Sequence, residues 1–416
     1  MHTSSQIKQL RGLTRTTTLV GFLFRIANGA QAVLAALIAN HYLHMGETSI
    51  GLIISIGSLT SLAIMAMLTF DLKIYRHAMF LSLSLTLGLA FIFISGVDFY
   101  ISKSKSIFVM GVLFLNIGNA LIIPAIVTIV GMTGYKSVEK RFGAYTSALS
   151  LTLFLSPSIE GAILALTNQN LRMAILVAAF PALIGAIAIA FNIKKIEHII
   201  TSSQAEDKPK DSIADKTFSF FKNSGCIKAL SLLLMFEVPF EAVTVFGGLM
   251  GNKVEHLNYS LIAVGFSILF FVSLICRLTF ATTNHLNKIQ LLISVALTSA
   301  LISLVLFDFH SVILFYVAMA VFGIGHGITY PLALSVIRKT TPIVFVRQAN
   351  SMVSTINQLS AVIVPVGMGN EISKIGFQKS FLSISIFVIA LGTISLFIGN
   401  NKKTRPFKIK KPNTYL

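Results

Sequence analysis

Roughly twelve stretches of about 20 apolar residues recur along the chain, centred near residues 29, 60, 87, 118, 154, 182, 238, 267, 297, 323, 358 and 389. Each has the length an α-helix needs to cross the ~30 Å hydrocarbon layer of a bilayer. In that layer every backbone N–H and C=O has to be satisfied inside its own segment, so the expectation is an all-α integral membrane protein with twelve transmembrane helices. Composition agrees, with 55% hydrophobic residues, 12% charged residues and a mean hydropathy of +0.82, far from the values of soluble domains.

The hydrophilic stretch 194–224, KKIEHIITSSQAEDKPKDSIADKTFSFFKNS, mixes both charge signs with Ser and Pro and separates six spans from six. It reads as a central cytoplasmic linker between an N-terminal bundle over 1–193 and a C-terminal bundle over 225–400, with a basic tail over 401–416.

The net charge of +18 resembles a nucleic-acid signal until the basic residues are placed along the chain. Lys8, Arg11 and Arg15, then Lys73 and Arg76, Lys136, Lys140 and Arg141, the central loop with Lys228, Arg277 with Lys288, and Arg338, Lys339 and Arg347 fill alternate loops on the side of the tail. The opposite loops hold Lys103, Lys105, Arg172, Lys253, Lys374 and Lys379, so with Arg25 inside a span the split is 26 against 6. This positive-inside bias accounts for the charge without nucleic acid and predicts both termini in the cytoplasm. The plasma (inner) membrane is the default location for a chain without an organelle signal. Ala30-Gln31-Ala32 mimics a signal-peptide cleavage site, but Arg25 interrupts the run before it, and residues 18–39 are expected to stay as a helix. Cys226 and Cys276 match no metal spacing and read as packing residues.

The chain also repeats itself. GNALIIP at 118–124 in the fourth span is echoed by GHGITYP at 325–331 in the tenth, with Gly and Pro in frame. Pro124 is followed after 17 residues by Arg141, Pro331 after 16 by Arg347, and Pro157 and Pro365 lie in the outer halves of the next spans. The loops DLKIYR from Asp71 and NHLNK from Asn284 are again about half a chain apart. Duplicated six-span halves are a transporter trait, with the substrate site between them.

At the fifth span Gly143, Thr152, Ser156, Pro157, Glu160 and Gly161 fall in the frame G-x8-G-x3-G-P-x2-G-G. This resembles the antiporter signature of the major facilitator superfamily, matched at Gly143, Pro157 and Gly161 and departed from at the other three. Asn284 to Lys288 is similar to that family's D-R-x-G-R loop motif, and Asp71 with Arg76 is a looser first-half copy. The resemblance is nearest the drug/metabolite:proton antiporter branch. It implies two pseudo-symmetric six-helix bundles around a central cavity lined by spans one, four, seven and ten, with alternating access by rocking.

Polar residues fall on those spans. Arg25, Asn28 and Gln31 lie in the first, Asn116 and Asn119 in the fourth, Glu237 and Glu241 in the seventh and His326 in the tenth, while Asn357 and Gln358 lie in the eleventh. An ionisable group at mid-bilayer costs about 2.5–3.5 kcal/mol even on the mild insertion scale, so it is expected to face a wet cavity or a partner. In FEVPFEA a spacing of four puts Glu237 and Glu241 on one helical face with Pro239 between them. Two acids so close exchange protons as a unit and could load and release one as the cavity alternates; the alternative is a static pairing with a base such as Arg25. Arg25 could bind an anionic substrate, neutralise a glutamate or snorkel to the interface. His326 could relay protons or rest as a hydrogen-bonded neutral ring. Glu160, 19 residues after Arg141, is either an outer-vestibule proton or cation acceptor or a partly hydrated carboxylate at the helix end. The asparagines and glutamines suit substrate hydrogen bonds or interhelical contacts.

The expectation is a monomeric secondary transporter of a small organic molecule, proton-coupled and exporting. The alternatives are an importer of an organic anion or small nutrient and, from another class, a transporter-like receptor. No P-loop, His/Asp/Ser cluster or metal spacing points to an enzyme, a cofactor or a metal site.

Overall fold

The computed structural model describes residues 4–70, 78–132, 138–204, 221, 223–282, 288–341 and 346–398. These form twelve α-helices: α1 (Ser4–Leu43), α2 (Glu47–Phe70), α3 (Ala78–Ile101), α4 (Lys105–Met132), α5 (Val138–Leu166), α6 (Leu171–Gln204), α7 (Ser224–Lys253), α8 (Tyr259–Thr282), α9 (Ile289–Leu306), α10 (Val312–Thr340), α11 (Val346–Ile375) and α12 (Phe377–Phe397). Eleven are long and apolar enough to cross a membrane. The other, α11, has the length but carries Arg347, Gln348, Asn350, Asn357, Gln358 and Asn370 along it. Helix α6 runs past the last apolar turn to Gln204. Asp71, Arg76, Asn284, most of the central linker and the basic tail lie outside the described residues.

Helices α1 to α6 pack as one bundle, α7 to α12 as another. α1 and α7 are the most enclosed, with 72% and 61% of their spanning windows buried against 33% for α9 and α12. That difference puts α1 and α7 at the axis, while α9 and α12 pack on helices of their own bundle.

The sequence repeat is a repeat of packing. Gly118 of α4 sits against Gly88 and Ile92 of α3, and Gly325 of α10 against Ser299 of α9, so both fourth helices of the halves close on their third. Pro124 and Pro331 lie inside α4 and α10. A hydroxyl one turn on donates to each proline carbonyl, Thr128 to Pro124 and Ser335 to Pro331, at 2.7 Å in both cases. A proline in a helix interior leaves a backbone group short of its usual partner, and such hydroxyl bonds are one way that membrane helices tolerate the kink.

The bundles meet along two matching seams, α2 with α11 and α5 with α8, and between α1 and α7. In the first seam Gly51 lies under the Pro365 carbonyl and Gly369 under the Glu47 carbonyl, with no room for a side chain at either. Thr48 donates to the Gly369 carbonyl (3.2 Å), and Ser55 accepts the Val366 N–H (3.1 Å). In the second seam Gly161 abuts Ala263, Ser158 meets Ser267 at 3.1 Å, and Gln169 both donates to and accepts from Ser260. A Lys253–Glu47 ion pair at 2.6 Å and a His41–Tyr259 hydrogen bond at 2.9 Å complete the closure. Nearly all of these contacts lie in the halves away from the N-terminus, the distal side. Toward the opposite, proximal side Arg277 of α8 and Ser150 of α5 also meet across the second seam, at 3.0 Å. The two seams hold the bundles together on the distal side.

Candidate functional site

Near mid-helix, charged and polar side chains from both bundles converge. Glu237 stands at the midpoint of α7 and Glu241 one turn distal, both half-buried and within electrostatic reach of each other. The N-terminal bundle contributes half-buried Arg25 from α1, with Tyr145 and Ser150 from α5. The C-terminal bundle adds His326 and Tyr330 from α10. It also adds Arg277, whose guanidinium lies within electrostatic range of Glu237, Tyr330 and Arg25. Tyr145 is likewise within range of Arg25 and Tyr330. Tyr330 is 44% exposed at this central depth, in the midst of these groups, which marks an open interior space.

Arg277 corrects the loop reading of the sequence. It lies inside α8, not after it, and its side chain turns inward. Nη1 donates to Ser150 Oγ at 3.0 Å, across the bundle interface, and Nη2 lies 3.4 Å from His326 Nε2. A guanidinium has no acceptor, so Nε2 has to accept and the ring is neutral with its proton on Nδ1. Nδ1 then donates to Ser273 Oγ at 2.8 Å. Phe240 stacks on the imidazole at 4.6 Å and 14°, with Phe236 and Phe270 beside it. Aromatic walls and one arginine thus fix the histidine.

The other sequence candidates divide. Gln31 is fully buried and donates to the Ile92 carbonyl at 2.9 Å, so it ties α1 to α3 and faces away from the interior space. Asn116 bonds its own helix at Val112 and fills the space over Gly57 of α2. Asn28 and Asn119 each keep a buried Oδ1 without a hydrogen-bond partner. Gln358 is half-buried on α11, and the Asn357 side chain is outside the described set. Lys288 is exposed where α9 begins.

Glu160 is 1% exposed, its Oε2 without a partner. With Thr152 and Ser156, both buried, it forms an i, i+4, i+8 stripe, and Ser156 Oγ donates to the Ile26 carbonyl of α1 at 2.8 Å. The stripe therefore packs on α1. Glu160 sits one turn distal of that contact and is buried. Pro157 and Gly161 lie in the same helix, Gly161 on the α8 seam, and Gly143 lies near its proximal end.

No curated sequence matches the chain. Solved structures do. It is similar to the nucleoside transporter NupG at 14% identity, covering 94% of this chain and 100% of that one with a TM-score of 0.72. A peptide transporter POT in complex with sulfate superposes at 15% identity over 93% and 94% of the two chains with a TM-score of 0.71. A bacterial homolog of the human lysosomal transporter Spinster, in an inward-facing and occupied conformation, matches at 12% identity over 92% and 96% with a TM-score of 0.67. The sequence profile of the Major Facilitator Superfamily matches residues 17–285 and 280–414. Two duplicated bundles, half-buried charged groups contributed by both of them and this match agree: the chain belongs to the Major Facilitator Superfamily, a transporter of a small molecule across a membrane and not an enzyme.

Proposed function

We propose that the protein is a proton-coupled secondary transporter of a small polar organic molecule bearing an anionic group. The observation that carries this reading is the Ser150–Arg277–His326 chain, which runs from one bundle into the other beside Glu237. An anion entering from the proximal side would take hydrogen bonds from Arg277 and Arg25. Drawing Arg277 toward the anion frees His326 Nε2, the one ring atom able to take a proton. Substrate and proton then load together, and Glu237 and Glu241, a turn away, pass the proton along the same helix face. Closure of the proximal side and opening of the distal seams would carry both across.

A second reading is proton-driven export, favoured by Gly143, Pro157 and Gly161 in the antiporter frame with the stripe Thr152–Ser156–Glu160 packed on α1. There Glu160 or the Glu237–Glu241 pair would hold the proton that substrate displaces. In either reading the proximal face is cytoplasmic, from the distribution of Lys and Arg.

The test is substrate-induced proton movement in proteoliposomes over a panel of nucleosides, short peptides and monocarboxylates, comparing the wild type with Glu237→Gln and Glu241→Gln. Co-movement of proton and substrate supports the first reading; counter-movement supports export. Transport that persists in both variants without any proton flux would sink the coupled mechanism.

A further inference from the structure

Far from the central site, the distal face carries a second concentration of positive charge. A cleft of about 530 Å³ opens where α1, α3 and α6 end or begin, lined by Tyr42, Tyr100, Lys103, Asn170, Arg172 and Met173 with Ile101. The positive-inside bias leaves this face only six basic residues, yet Lys103 and Arg172 share the cleft, and Lys105 is two residues on.

Arg172 is held in place on two sides. Its Nη2 donates to the Ser102 carbonyl at 2.7 Å, and its guanidinium carbon lies 4.1 Å from the centre of the Tyr42 ring. Its Nε is buried and without a hydrogen-bond partner. Among the described residues no carboxylate lies within ion-pairing distance of Arg172 or Lys103. The first turn of α6 opens at the same place, with Asn170 Oδ1 accepting the Met173 N–H at 3.1 Å. A helix N-terminus adds positive potential to the two side-chain cations. A fixed guanidinium, an exposed ammonium and a helix start suit a tetrahedral oxyanion, because several donors can share oxygens that spread their charge.

We propose that this cleft binds a phosphate ester anion at the membrane interface. Its depth and rim favour a phospholipid headgroup over a dissolved ion. The cleft lies at the ends of spanning helices, where tyrosines are enriched, and Ile101, 46% exposed, and Met173 offer apolar surface beside the cations for the first acyl carbons. The site does not depend on the proposed transport chemistry, since it shares no residue with it.

The experiment is native mass spectrometry of the purified full chain with phosphatidylglycerol, phosphatidylcholine or inorganic phosphate, alongside Lys103→Gln, the double variant Lys103→Gln/Arg172→Gln and the distal control Lys374→Gln. Loss of two charge-assisted contacts should weaken anion retention at least about tenfold in the double variant and less in Lys103→Gln, which leaves the Arg172 contacts intact. Lys374→Gln should retain the wild-type amount. Variant-sensitive retention of phosphatidylglycerol identifies a headgroup site, and variant-sensitive binding of inorganic phosphate alone identifies a soluble anion site. If neither ligand distinguishes Lys103→Gln from the wild type, the proposal is overturned, whatever the double variant does to folding.

Discussion

In the N-terminal bundle the residue after the repeated glycine is Asn119; in the C-terminal bundle it is His326. One turn on, Ile123 is answered by Tyr330. Around these positions the backbone arrangement is the same, with a glycine packed against the preceding helix and a proline whose carbonyl takes a hydroxyl from the next turn. The scaffold is duplicated and the chemistry is not. Glu237, Glu241, Arg277, His326 and Tyr330 all belong to the second bundle, which faces Arg25, Tyr145 and Ser150 of the first. A two-fold scaffold can rock symmetrically while only one half carries most of the groups able to hold a proton or an anion.

Matched substitutions in the two halves test that division. The largest effect is expected for Arg277→Gln, which strips donors from both Ser150 and His326: initial transport rates in proteoliposomes should fall by about 100-fold, two charged hydrogen bonds' worth. Arg277→Lys should not rescue it, because one ammonium lacks the fork that reaches two acceptors. Asn119→Ala, the repeat counterpart of a change at His326, should stay within about threefold of the wild type, as interhelical hydrogen bonds in membranes average about 0.6 kcal/mol; a loss equal to that of Arg277→Gln would break the comparison.

Next comes His326→Asn, which makes the second half chemically like the first. Substrate-driven proton movement should drop by about tenfold or more while substrate affinity stays within about threefold, since removing a relay residue costs the transfer and spares the binding groups. Equal losses in both would make the ring structural. Smaller again is the contrast of the seams. Gly51→Val forces a side chain into the Pro365 carbonyl, whereas Gly161→Val meets the methyl of Ala263. Overpacking of a tight contact costs about 1–3 kcal/mol, so Gly51→Val should shift distal spin-label distances toward the open state by about tenfold in population, and Gly161→Val by less. The smallest effect belongs to Lys253→Gln. An exposed ion pair contributes about 0.2–1 kcal/mol, so the open-to-closed ratio should change by less than about fivefold and the difference should vanish at high salt.

The helices and their pairing were legible because hydropathy and proline placement act locally along the chain. Helix facing was harder to read. Gln31, Arg25 and Asn28 share α1, but rotation about that helix aims Gln31 at the Ile92 carbonyl of α3, and a count of polar residues carries no such angle. Arg277 reads from the sequence as a loop charge because it lies one to two turns from the end of an apolar run, where a long side chain can reach either way. One signal could have placed it. Leu261, Val264, Phe271, Ile275 and Leu278 form the exposed stripe of α8, whereas Ser273 and Arg277, four apart, lie off it on an inward face. Tyr145, Ser150 and Tyr330 left no comparable mark, since tyrosine and serine are ordinary in membrane helices and their importance comes from neighbours on other helices. Glu160 was seen, but its burial against α1 depends on Thr152 and Ser156 standing where small residues allow close approach, a packing fact that depth along one helix does not contain.

The presence of two arginines and two glutamates near the centre has an electrical consequence. Carrying one uncompensated elementary charge against 100 mV takes about 2.3 kcal/mol, enough to slow a return step by more than a decade. With both acids ionised, Arg25 and Arg277 are balanced; with one acid protonated, a bound monoanion restores the balance. A carrier working as proposed would reorient as a neutral body both empty and full, so its turnover should be indifferent to membrane voltage and respond to the pH and substrate differences across the membrane.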